Sequence, residues 1–416
     1  MSARFVRILL FASMTGAMAL GASAAAAEDK LSHDVGVALQ AADKAMKSND
    51  LATASAKIEE AMAASDRTDF DTYTIEQFAA NLALKQNDLK SAEAHFKAVA
   101  ASPAIKDADK KNVYTVLAQV ATNLQDWPTV VQYGSLLQSM NALEGNLVEP
   151  LAVAYFNTGA QDKAIALAKQ QVDADRAAGK PPSQALLEIM TNAEAGSKNN
   201  AAAIQSLETL VQNYGDPNDW ARLIDNEGFT LRGLTDLQAL DIYRLRVAAN
   251  ATTPEEDYAI MATVTSKAGY PGETVAMLEH GMSSGAVKPG SKAASLLAGA
   301  RAKEAEDKRS LPSFDAQARA HKTGEFDVKL AETYYGYGRY AEAEEAARRA
   351  LSKGGLKSPA EARLLVGMSL ARQGKNQDAE AAFAQVDGGA NDKTIAHLWT
   401  VYVTRKYGAA PAAPQR

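Results

Sequence analysis

The stretch YYGYGRYAEAEEAARRAL, residues 334–351, carries the spacing G-x-G-x-x-A at Gly336, Gly338 and Ala341. That spacing can cradle a dinucleotide pyrophosphate, because small residues let the backbone approach the phosphates at a helix N-terminus. The chemistry needs a strand before the loop and an acidic residue about 20 positions on that ends a second strand. Here Leu330 to Tyr335 continue a helical pattern, and no such acid follows. A turn between two packed helices is therefore expected. GAVKPGSK, Gly285 to Lys292, nearly spells a phosphate-binding loop. The lysine must follow the last glycine directly to reach the β- and γ-phosphates, and Ser291 intervenes. An inter-helix loop is expected there as well.

The other reactive side chains assemble no known chemistry. There is no cysteine, which removes disulfides, thiolate zinc sites and a cysteine nucleophile. The five histidines are His33, His95, His280, His321 and His397. None pairs with another four residues on, and no H-E-x-x-H occurs, so no metal site and no cofactor is expected. No G-x-S-x-G elbow presents a serine. Acidic pairs such as Glu59-Glu60 and Glu344-Glu345 belong on solvated helix faces. Trp127 is expected in the core, whereas Trp220 could serve either the core or a ligand platform. The chain is expected to be no enzyme.

The elements that hold these residues are helices. The 416-residue chain is 47% hydrophobic but only 6% aromatic, rich in alanine and poor in runs of Val, Ile and Thr. Alanine has the best helix propensity and lets helices approach closely. A net charge of −6, from 44 basic against 50 acidic residues, argues against a phosphate-backbone ligand.

The helices repeat. Leu330, Ala331 and Tyr334 precede Gly338, and Tyr340, Ala343, Ala347, Ala350 and Leu351 follow. Around Gly374 the corresponding residues are Val366, Gly367 and Leu370, then Ala379, Phe383 and Val386. Turn markers at 49, 87, 125, 159, 198, 234, 269, 305, 338 and 374 are spaced by 33 to 39 residues, with those at 198, 234, 269 and 305 the loosest. That period matches tetratricopeptide repeats of about 34 residues. Each hairpin has an apolar stripe it cannot bury alone, so neighbours must stack. Gly or Asn at the turn accepts positive φ at low cost. Pro103, Pro150, Pro181, Pro254 and Pro359 are expected between hairpins or at their starts. Asp392 to Lys406 should form a final helix whose Ile395, Leu398, Trp399 and Tyr402 cover the last open face.

The expected fold is all-α, a right-handed α-solenoid of about ten such hairpins with a C-terminal capping helix. Its first helices should line the inner surface. Projecting the register puts Gln77, Asn81, Lys85, Thr115, Gln119, Asn123, Glu149 and Asn157 there. Lys85, Asn123 and Asn157 recur at one equivalent place, where they could bond an extended peptide backbone or a terminal carboxylate. A polar face that simply meets water is the plain alternative.

At the N-terminus, Arg4 and Arg7 precede an apolar stretch from Ile8 to Leu20, too short for a comfortable membrane span. Ala22-Ser23-Ala24 and Ala25-Ala26-Ala27 offer cleavage sites. Residues 1–27 are thus expected to be a signal peptide, cleaved near Ala24 or Ala27, with export to a Gram-negative periplasm. Residues 28–214 and 215–407 are expected to form two repeat arrays joined at a bend, and 408–416 a disordered tail.

These residues resemble the tetratricopeptide repeat superfamily across nearly the whole mature chain. In the second half, ALDIYRLRVAAN, KAGYPGETVAMLEHGMSSGAV and above all KGGLKSPAEARLLVGMSL, Lys353 to Leu370, look like periplasmic repeat proteins that accompany TonB–ExbB–ExbD systems. The resemblance implies a non-catalytic α-solenoid, accessory to TonB-dependent energy transduction or uptake, that binds an envelope protein or peptide segment such as a TonB-complex component. It implies no nucleic acid partner and no membrane span after signal cleavage. The alternative is an envelope scaffold for cell-wall synthesis or outer-membrane assembly.

Overall fold

The computed structural model describes residues 30–406. The expected signal peptide and the tail after 407 lie outside them. The described residues are helical with no strand, and no helix among them is long and apolar enough to cross a membrane. The chain divides into two compact units between Lys198 and Asn199. Gly215, where a join between the arrays was expected, lies inside the second unit.

The first unit holds α1 (His33–Lys47), α2 (Leu51–Ala63), α3 (Asp69–Lys85), α4 (Leu89–Ala101), α5 (Asp107–Leu124), α6 (Trp127–Ser139), α7 (Gly145–Asn157), α8 (Gln161–Ala177) and α9 (Gln184–Gly196). The second begins with α10 (Asn200–Tyr214), α11 (Pro217–Leu223) and a π-helical turn (Ile224–Gly228). It continues with α12 (Asp236–Ala248), α13 (Glu255–Ala268), α14 (Pro271–Ser283), α15 (Lys292–Ser295) and α16 (Leu297–Ala320). It ends with α17 (Glu325–Gly336), α18 (Tyr340–Lys353), α19 (Pro359–Arg372), α20 (Asn376–Phe383) and α21 (Ala390–Val403).

The architecture is that of an α-solenoid built from tetratricopeptide-like hairpins. Asn49, Asn87, Gln125, Gly159, Gly269, Gly338 and Gly374 all have φ between 58 and 82°. Each ends a helix in the left-handed conformation, where the next amide reaches back to the last turn. Asp50 N–H donates to Ala45 O at 2.8 Å, Asp88 N–H to Ala83 O at 2.9 Å, and Asp126 N–H to Ala121 O at 2.9 Å. The same aspartates then cap the following helix, accepting from the backbone of Thr53, Ser91 and Thr129. One short sequence therefore stops a helix and starts the next.

Small residues set the crossing of each hairpin. Seven positions before the turn stand Ala42, Ala80, Ala118, Ala152, Ala262, Ala331 and Gly367, all buried. Five positions after it stand Ala54, Ala92, Val130, Ala164, Thr274, Ala343 and Ala379, none more than 1% exposed. At Gly367 the approach leaves no room for a side chain: an added Cβ would lie 2.3 Å from the Phe383 ring.

Some expectations give way. No turn occurs at 305, because α16 runs unbroken from Leu297 to Ala320 with Pro312 inside it. Pro150 lies inside α7, which starts at Gly145, rather than between hairpins. Near 234 a loop with Gly233 at φ 69° follows the π-helical turn, in place of a tight hairpin. The glycine motif at 336 is a helix end: Gly336 closes α17, where a Cβ would meet Glu273 Cβ at 2.7 Å, and Gly338 makes the turn. The Gly285–Lys292 segment is a loop into the four-residue α15.

The last helix does more than cover an end. Within the second unit, α21 packs on α12, on α19 and α20, and on the π-helical turn. Trp399, fully buried, donates its indole N–H to Asp241 O at 3.1 Å. Tyr402 sets its ring edge against Trp220, which is also fully buried and hence core rather than a platform. The unit's two ends in sequence are thereby joined.

Candidate functional site

In the first unit the candidate residues all lie on first helices: Gln77, Asn81 and Lys85 on α3, Thr115, Gln119 and Asn123 on α5, Glu149 and Asn157 on α7. Their columns stand 2, 6 and 10 positions before the hairpin turns at Asn87, Gln125 and Gly159. Lys85 and Asn157 are exposed; Gln77, Asn81, Gln119, Asn123 and Glu149 are half-buried.

Their hydrogen bonds show how each is held. Asn81, Asn123 and Asn157 donate their Nδ2 to the carbonyls of Gln77, Gln119 and Val153, four residues back, at 2.9, 3.1 and 2.9 Å. That shared geometry uses the donor and leaves Oδ1 as an acceptor. Gln77 donates to the Tyr73 hydroxyl at 2.7 Å, and Glu149 accepts from the Ser183 hydroxyl at 3.1 Å. Thr115 differs, since its Oγ1 is shut off from solvent without a partner and can touch no ligand. The other seven are polar residues at least partly open to solvent, in three columns; Lys85 is their one cation, and Asn123 and Asn157 follow it in the column nearest the turns. Such groups can read an extended backbone. Trp127 begins α6, half-buried against Ala121, Val130 and Ala154.

Sequence reasoning missed the polar centre of the second unit. Arg244 on α12 donates Nε and Nη2 to Glu273 of α14 at 2.7 and 2.6 Å, Nη1 to Asp241 at 2.9 Å, and Nη2 to Glu332 of α17. Its guanidinium lies 4.7 Å from the Tyr335 ring centre. All four charged residues are at most 4% exposed. Burial pushes the Asp241 and Glu332 carboxyls up, against the pull of Arg244. A signal was available: Asp241, Arg244 and Arg246 stand in ALDIYRLRVAAN, otherwise apolar on every face. These bonds tie α12 to α14 and α17 and fix how the three helices meet.

Among the described residues one group of three side chains could hold a metal ion: Glu208, Glu227 and His397. Burial, with Glu208 beside it, pushes Glu227 up to about 7. The hydrogen bond to Glu208 holds His397 above the usual imidazole value.

No protein-family model matches the chain, and no curated protein matches it. Among solved structures, a tetratricopeptide repeat protein from Parabacteroides merdae ATCC 43184 is similar at 14% identity and TM-score 0.27, over 80% of this chain and 99% of its own. Naa15/Naa10 bound to HypK-THB is similar at 14% identity and TM-score 0.35, over 86% of this chain and 64% of its own. The pentatricopeptide repeat protein PPR10 from maize is similar at 12% identity and TM-score 0.31, over 88% and 61%. This chain spans less than two thirds of the length of the last two. At these scores the repeat assignment rests on the chain's own turns, caps and crossings.

Proposed function

We propose that this chain is an exported, non-catalytic scaffold of a Gram-negative envelope that holds a protein segment and assists TonB-dependent energy transduction or uptake. The observation that supports the binding reading is the polar set on α3, α5 and α7, where Asn123 and Asn157, in the column that begins with Lys85, and Asn81 one turn earlier each spend the amide donor on a carbonyl four residues back and keep the oxygen free to accept. An extended segment crossing it meets repeated acceptors and the ammonium of Lys85. Each contact is weak, and their sum gives affinity because they are held at fixed spacing. Export is supported by Arg4, Arg7 and the apolar run before Glu28. The TonB link is supported by the similarity of Lys353 to Leu370.

Photo-crosslinkers placed at Gln77, Lys85, Asn123 and Asn157 in intact cells test both parts. One envelope protein should be captured from all four positions and not from Lys57, a partly exposed residue of α2. Capture that is equal at Lys57 refutes the polar set as the binding face. Capture from the polar set with no TonB-system component in it refutes the TonB reading and leaves the scaffold.

A further inference from the structure

Three elements of the second unit, far apart in sequence, bring ligating side chains to one point: Glu208 from α10, Glu227 from the π-helical turn and His397 from α21. One ligand atom of each lies within 4.8 Å of the other two. His397 Nε2 sits 2.6 Å from Glu208 Oε1. Glu227 is the unexplained member. Its Oε2 is shut off from solvent and has no hydrogen-bond partner. A buried carboxylate oxygen without a donor is costly, and a cation would satisfy it. The turn that carries Glu227 is π-helical, a geometry that recurs at functional sites.

We propose that Glu208, Glu227 and His397 form a binding site for one divalent cation of the Zn²⁺ class, which ties the C-terminal helix to the start of the second unit. The donor set selects the ion. Zn²⁺ takes imidazole nitrogen and carboxylate oxygen together, whereas Mg²⁺ and Ca²⁺ favour oxygen alone. Two carboxylates bring two negative charges, which a divalent cation neutralises. Ligand atoms around tetrahedral Zn²⁺ stand about 3.3 Å apart, given bonds near 2.0 Å. The His397–Glu208 pair therefore opens by less than about 1 Å, and Glu227 closes in. Three protein ligands leave a fourth position for water. The His397 side chain is 50% exposed, so the imidazole is open to an ion from solvent.

The test uses the full chain stripped by a chelator, with Zn²⁺ or Co²⁺ as the probe. Calorimetry should show one ion per chain. At a hundredfold excess of Zn²⁺ over Kd the second unit should melt about 5–10 °C higher. Mg²⁺ should produce no such shift. Co²⁺ should give the visible absorption of a four-coordinate ion. Glu227→Gln and His397→Ala should each abolish these responses at unchanged helix content, while His33→Ala should keep them. Should either variant fail to fold, Glu208→Gln reads the same property. No ion-dependent shift in the natural protein overturns the proposal. So does an undiminished response in Glu227→Gln, which would make Glu227 a protonated buried carboxyl instead.

Discussion

Glu361 lies in the first turn of α19, where its backbone N–H meets the Ser358 cap at 3.3 Å. Around its carboxyl stand Glu325 and Glu332 of α17, Arg244 of α12 and Asp392 of α21. Burial first, then Glu332 and Glu325, pushes it up to about 7 from an ordinary 4.5. A carboxyl raised in the folded state costs nothing below the unfolded value. Its penalty grows as pH rises from about 4.5 and is complete above about 7. The shift corresponds to about 3 kcal/mol at 1.36 kcal/mol per unit. Glu361→Gln keeps the shape and cannot ionise. It should match the natural protein at pH 5 and exceed it by about 3 kcal/mol at pH 8.5. For a unit of about 200 residues that is about 6–12 °C in Tm. Unfolding can be followed by the fluorescence of Trp220 and Trp399, both buried in that unit. A Tm difference that is the same at pH 5 and pH 8.5 would refute the reasoning, because only an ionising group makes it vary.

Three further substitutions probe the repeat and its closure. Gly367→Ala should destabilise by about 1–3 kcal/mol in urea melts, since its methyl meets the Phe383 ring; adding Phe383→Leu should recover part of that loss. Gln125→Gly should stabilise the first unit by about 1 kcal/mol, because Gln125 holds φ 59° without the tolerance of glycine; the urea midpoint reads this directly. Trp399→Ala should cost about 3–5 kcal/mol, through lost packing and the lost bond to Asp241 O; hydrogen exchange should then rise in α21 and α12 together.

The sequence makes the hairpins visible where one residue type has one physical job. Asn49, Asn87, Gly159, Gly338 and Gly374 were all readable as turns because positive φ narrows the choice of residue. The turn expected at Ala305 had no such residue. Alanine propagates a helix as readily as it fills a crossing, and Leu297 to Ala320 did so. The closure of the second unit was not legible, since Trp399 and Asp241 are 158 residues apart and nothing in a 34-residue period pairs them. The cluster of Glu208, Glu227 and His397 escaped for the same reason: motif spacing detects ligands on one helix, and His397 lies 189 residues from Glu208. The polar set on α3, α5 and α7 was legible as positions. Its hydrogen bonds, and the withdrawal of Thr115 from it, depend on side-chain directions that spacing leaves open.

The same register has opposite fates on different hairpins. Ten positions before their turns, α17 and α19 carry Val328 and Leu364, and six before, Glu332 and Met368. These are 8, 1, 1 and 0% exposed. The equivalent places on α3 and α5 hold Gln77, Asn81, Thr115 and Gln119, none of them fully buried. Glu332 is tolerable inside only because Arg244 meets it. On α17 and α19 this face is therefore taken up by packing against α12, α14 and α21. On α13, in the same unit, Thr263 at the equivalent place is exposed. The hairpin repeat alone does not fix the fate of this face: on α17 and α19 the closing helix α21 and the central arginine commit it to stability.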